Sequence, residues 1–162
     1  MFKKFLFPLL LILVLCLNGC VTTSAEYISF TTKPNNHYYT DELKNKVLNN
    51  ENFSLSVFDT NLCKDIIVDK DDSIIIDNFL NSLTSDNYLA YNSKPDNKEK
   101  FRVIISFSEN KYLIKVYDAS IISISPWDGS YEEDIISMES LPLHYNLLDF
   151  CNHIQNKPIA KS

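Results

Sequence analysis

The sequence predicts a two-layer α+β domain, an antiparallel sheet of about four to six strands with helices packed on one face. Residues 101–107 and 111–117 read as β-strands flanking Ser108, Glu109 and Asn110, a hairpin connection. Residues 120–125 and 131–138 repeat the pattern across another short link, and short links join antiparallel neighbours. Near the C-terminus, Leu143, Leu147, Cys151 and Ile154 recur at spacings of four, four and three, the apolar stripe of a helix that Phe150 widens.

The chain opens with Lys3 and Lys4 and a mostly apolar run over residues 5–17. A basic start followed by about 13 apolar residues matches a secretory signal, and it is short for the ~20 residues that cross a bilayer. Leu17-Asn18-Gly19-Cys20 follows and resembles a bacterial lipobox. Leu17, Gly19 and Cys20 fit that motif, while Asn18 stands where a small residue is usual. The motif implies cleavage before Cys20, acylation of the Cys20 thiol with a palmitate-type chain, and a domain tethered to the extracytoplasmic face of the membrane. A single-pass anchor or an ordinary cleaved signal is the alternative. The expected division is a signal over residues 1–19, a tether over 20–25, one α+β domain over 26–157 and a mobile tail over 158–162.

Within the domain, residues 26–32 are β-branched and aromatic and read as a strand. Pro34 and the pair Asn35-Asn36 break any regular pattern, so residues 33–39 read as a loop. Thr40 or Asp41 suits the cap of a short helix through Leu48, with Leu43 and Val47 at helical spacing. Residues 52–59 form a strand with Phe53, Leu55 and Val57 on one side, and residues 66–68 a shorter one. Asp71 or Asp72 is placed to cap a helix whose Ile76, Phe79, Leu80 and Leu83 share a face. Residues 92–99 are a polar loop. Asn110 suits a positive φ in the hairpin, and Pro126-Trp127-Asp128-Gly129 is a turn that Pro126 opens and Gly129 relieves. Pro142 suits the first position of the last helix, which Lys157-Pro158 ends.

Composition excludes several functions. Only two glycines exist, Gly19 and Gly129, which rules out phosphate-cradling loops and a Gly-x-Ser-x-Gly elbow, so no nucleotide cofactor is expected. Loss of Lys3 and Lys4 with the signal would leave 13 basic against 21 acidic side chains, a formal charge of −8. That balance argues against nucleic acid and against adsorption to polyanions or anionic lipid. A lone Arg102 makes a bidentate phosphate clamp a poor fit. Cys63 and Cys151 remain in the domain, either as an extracytoplasmic disulfide or as buried free thiols.

Chemistry is sparse. His37, His144 and His153 are the only histidines, and His144 and His153 fall on opposite faces of one predicted helix, so no metal site is expected. The acidic residues 69–72 fail the EF-hand pattern, with Ile74 where glycine is required and Leu80 where the bidentate Glu belongs. Glu132-Glu133-Asp134 could supply paired carboxylates, but alternation along a strand reads more simply as a solvated face. No catalytic residue is assigned. Trp127, at the predicted tip and close to Tyr131, is the leading recognition candidate, with Tyr38 and Tyr39 in another loop behind it. The rival reading folds Trp127 back over the sheet edge.

The lipobox, the Asn/Ile/Lys-rich composition and the segment SPWDGSYEEDIISMESLPLHYNLLDFC together resemble small lipoproteins of clostridial-type Gram-positive bacteria, families of unknown function. The resemblance supports the location and brings no catalytic residues with it. The expected function is a membrane-tethered, non-enzymatic binding or interaction module that contacts a cell-envelope ligand or protein. The alternatives are an envelope hydrolase using Asp or Glu, and a stress- or immunity-type protein acting by contact.

Overall fold

The computed structural model describes residues 27–28, 33–49 and 51–157. The signal and tether expected over residues 1–25, Cys20 included, and the tail over 158–162 lie outside them. The strands are β1 (Tyr27–Ile28), β2 (Ser54–Asp59), β3 (Lys64–Ile67), β4 (Tyr88–Leu89), β5 (Phe101–Ser106), β6 (Lys111–Val116), β7 (Ile121–Pro126), β8 (Gly129–Ser130) and β9 (Asp134–Ser137). Seven of them form one antiparallel sheet in the order β3-β2-β5-β6-β7-β9-β4, and β1 pairs in parallel with β8. The helices are α1 (Tyr38–Leu48), α2 (Ile74–Ser82) and α3 (Leu147–Asn156).

The architecture is the expected α+β one, with one strand more than the upper expectation. β4 is the addition that sequence reading missed, because two residues are too few to show alternation. It pairs through Tyr88 with Ile136 and Leu89 with Ile135, which moves β9 from the sheet edge to the interior.

One face of the sheet carries the core. Val57 on β2, Val103 and Ile105 on β5, Ile114 on β6, and Ile122 and Ile124 on β7 are fully buried. They pack in one cluster with Leu43 of α1, Ile76, Phe79 and Leu80 of α2, and Leu147, Cys151 and Ile154 of α3. Burying a side chain of this size is worth about 1.5–3 kcal/mol, so this layer supplies the main drive to fold. The opposite face is covered only in part. There Leu113, Tyr117, Ile135 and Ser123 are also buried, and a 3-10 turn at Tyr91–Ser93 packs against β9.

Several local expectations are corrected. α1 starts at Tyr38, inside the expected loop, and its preceding residue His37 makes no side-chain cap. The residue before α2 is Ser73, not an aspartate. Asp69 and Asp72 instead accept from Lys157 Nζ at 2.7 and 2.6 Å, which ties the end of α3 to the start of α2. The last helix begins at Leu147 rather than beside Pro142. Leu143 lies in a separate 3-10 turn and is 81% exposed, outside the stripe assigned to it. Asn146 is the true cap, its Oδ1 accepting from the Leu148 N–H at 3.0 Å while its Nδ2 donates to Ala119 O at 2.7 Å. Neither Asn110 nor Gly129 uses positive φ; among the described residues only Cys63 does, at 49°.

Candidate functional site

The β7–β9 connection gathers most of the polar and aromatic side chains singled out in the sequence. Pro126 ends β7, and the Trp127 N–H donates to Lys111 O at 3.0 Å, which fixes the backbone of the tip. The Trp127 side chain is 44% exposed, so it does not fold back fully over the sheet edge. Tyr131, four residues on, donates its hydroxyl to Asp128 Oδ1 at 3.0 Å. Its ring meets Tyr39 edge-on at 5.6 Å between centroids, and Tyr39 meets Tyr38 at 5.3 Å.

Three of the four aromatic candidates therefore stand in one row. Their roles differ. Tyr38 is 41% exposed at the start of α1, whereas Tyr39 is buried and supports its two neighbours. Burial and the adjacent Asp134 carboxylate push the Tyr39 phenol up, so it stays neutral.

The acidic run beside the tip departs from the solvated face expected of it. Glu132 is exposed, but Glu133 and Asp134 are buried, on opposite sides of the sheet. On the helix side, Asp134 Oδ2 accepts from both the Thr40 N–H (2.7 Å) and Thr40 Oγ1 (2.8 Å). Thr40 lies in the first turn of α1, where backbone N–H groups lack partners and the helix dipole favours an anion. Asp134 is thus the cap that His37 does not provide. Lys33 Nζ donates to Asp134 Oδ1 at 2.9 Å and to Glu133 O at 2.8 Å. Burial pushes the Asp134 carboxyl up, and Lys33 and Thr40 offset only part of that.

On the other side, Glu133 Oε1 accepts from Lys115 Nζ at 2.6 Å and Lys94 Nζ at 2.9 Å. Burial opposes its charge, but Lys115, the Ser123 hydroxyl and Lys94 together outweigh burial and hold the carboxyl below its ordinary range. Lys94 is raised: burial works against its charge and the bond to Glu133 overcomes it. Ser123 is buried on the same face of the sheet, and its hydroxyl adds to the polar surroundings of the Glu133 carboxylate.

These carboxylates cannot flank one substrate, because they face opposite layers and each is held by a lysine. Among the described residues no group of three or more His, Cys, Asp and Glu side chains is placed to hold a metal ion. Cys63 and Cys151 are free thiols, the first exposed in the β2–β3 turn and the second buried on α3. Among the described residues no helix is long and apolar enough to cross a membrane. An open cleft of about 460 Å³ separates the end of α1 from the start of α2, lined by Val47, Leu48, Phe53, Lys70, Ile74 and Asp77 among others.

The profile of one family, Domain of unknown function (DUF4883), matches residues 33–151. A solved structure, that of a candidate lipoprotein from Clostridium perfringens, is 32% identical and aligns with a TM-score of 0.71, covering 78% of this chain and 100% of that one. No curated protein matches the chain. The family match begins at Lys33, the residue that pairs with Asp134, and it spans the whole main sheet. The chain belongs to the DUF4883 family, Domain of unknown function.

Proposed function

We propose that this protein is an extracytoplasmic lipoprotein, tethered to the membrane through acylated Cys20, whose domain acts by contact rather than by catalysis. The observation that carries the reading is the run from Lys3 to Cys20, a basic start, an apolar stretch and a lipobox-like ending. A clostridial relative described as a candidate lipoprotein supports the same placement. The buried carboxylates support the absence of hydrolytic chemistry. Glu133 is neutralised by two lysines and Asp134 is spent on the start of α1, so neither stands ready as a general acid or base. The exposed rings of Trp127 and Tyr38 are the surface best suited to contact, since aromatic side chains on a rigid support dominate recognition surfaces.

Cells expressing the wild-type chain and Cys20→Ala are fractionated, and the membranes are washed with salt and carbonate. Wild type is expected to remain with the membranes and to carry an acyl mass on Cys20, while the variant is expected in the soluble fraction. Equal retention of both would sink the anchor.

A further inference from the structure

We infer that the aromatic tip, Trp127 together with Tyr38, rests on the interfacial zone of the bilayer to which the chain is tethered. The inference deepens the reading above and rests on acylation of Cys20. β1 pairs directly with β8, Tyr27 opposite Gly129 and Ile28 opposite Ser130. Gly129 is two positions from Trp127, and paired strands lie about 4.8 Å apart, so the chain enters the domain beside the tip. Cys20 is seven residues before Tyr27. Seven residues span at most about 25 Å when extended, and about 15 Å root-mean-square as a flexible coil. The end of β7 at Pro126 is therefore the end of the sheet held nearest the lipid. The Tyr117–Ile121 end lies about 20 Å further away along β6 and β7.

The side chains at the near end suit that position. Tryptophan and tyrosine favour the bilayer–water boundary, where an apolar ring and one polar group are both accommodated. Trp127 is the single tryptophan of the chain and is 44% exposed, and Tyr38 is 41% exposed. Behind them the buried Tyr39 ring packs edge-on against Tyr38 and Tyr131, and the Trp127 backbone is held by its bond to Lys111 O. Charge does not drive the contact. The exposed neighbours include Asp128, Glu132 and Lys111, a mixed set in an acidic protein. The tip meets the membrane through its rings, with the tether holding it at high effective concentration. The free domain, lacking that tether, stays in solution.

The experiment uses the full chain, purified from membranes with its acylation checked by mass and reconstituted in phosphatidylcholine vesicles. Trp127 fluorescence is recorded against the soluble Cys20→Ser protein, with and without a lipid carrying a quencher near its headgroup. Blue-shifted emission that loses most of its intensity to the lipid-borne quencher, unchanged by added salt, is the expected result. A Tyr38→Ser variant is expected to weaken that quenching while leaving the fold's circular dichroism unchanged. Emission and aqueous-quencher access equal to those of the soluble protein would overturn the inference while leaving the anchor intact. Absence of acyl mass on Cys20 would instead overturn the anchor, and this inference with it.

Discussion

A carboxylate buried in a protein survives as a charge only where cations or N–H donors meet its oxygens. Glu133 satisfies that with Lys115 and Lys94, and the consequence is a specific dependence on acid. Its folded carboxyl lies below the unfolded value of about 4.5, so the unfolded chain takes up the proton first. The stabilisation from Glu133 is complete above that pH and drains as pH falls toward the lower folded value. Asp134 opposes it, since a raised folded pKa makes the native state the better proton acceptor. Urea unfolding of wild type and Glu133→Gln is expected to show the variant weaker at pH 7, with the gap narrowing below pH 4.5. A gap that stays constant to pH 3 would deny the charge any role. The two free thiols differ in the same physical terms. Cys63 is exposed, whereas burial pushes the Cys151 thiol up and hides it. A native sample of residues 20–162 carrying Cys20→Ser, treated with maleimide, should gain one adduct, on Cys63, and a second on Cys151 only after unfolding. Two unreactive thiols in a non-reduced sample would point to a disulfide. None of this pairing was legible beforehand. A lysine within the apolar run of β6, Lys115, was the one local sign that the second face held a buried acid. The acid itself reads as solvated because one of its partners, Lys94, lies 39 residues away in the chain.

At the scale of elements, long strands and apolar stripes were readable, and the ends of helices were not. Strand and helix interiors are set by side chains a few positions apart, so β2, β5, β6, β7 and the body of α2 follow from the sequence. Helix starts depend on which group meets the free N–H donors, and in α1 that group is Asp134, 94 residues away. No window of sequence contains both partners. In α3 the cap is local, and it displaced the expected start by five residues. Asn146 holds an extended backbone at φ −68° and ψ 120°, which separates the Leu143–Tyr145 turn from the helix. Substitution should therefore separate the two readings. Asn146→Ala removes the cap on Leu148 and the bond to Ala119, and an N-cap loss alone costs about 1–2 kcal/mol. Leu143→Ala, at an exposed site, should stay within about 0.5 kcal/mol of wild type. Thermal or urea unfolding checks both, and a larger loss at Leu143 would restore it to the apolar stripe.

Over the whole molecule, the fold class was legible because a sheet with one apolar face and amphipathic helices has few ways to close. We expect the stable unit to depend on one long-range pair near its N-terminal end. Lys33 Nζ reaches Asp134 Oδ1 and Glu133 O, and the two side chains of the pair are 6% and 0% exposed. The family match also starts at Lys33. β1, by contrast, is two residues long and pairs with only two more, and a ribbon that short adds little stability in water. On the proposed reading, β1 would set where the domain sits relative to its tether, and Lys33 is expected to matter more for whether the domain holds together. A chain starting at Thr31, without β1, should unfold in urea near the midpoint of one starting at Glu26. Adding Lys33→Ala to the shorter chain leaves Asp134 buried beside no cation, a loss expected to cost about 3–5 kcal/mol. Thr40 would still donate to Asp134, so the N-terminus of α1 should remain helical while the global midpoint falls. If removal of β1 costs as much as removal of the Lys33 side chain, the boundary lies earlier in the chain, and the tether is part of the fold.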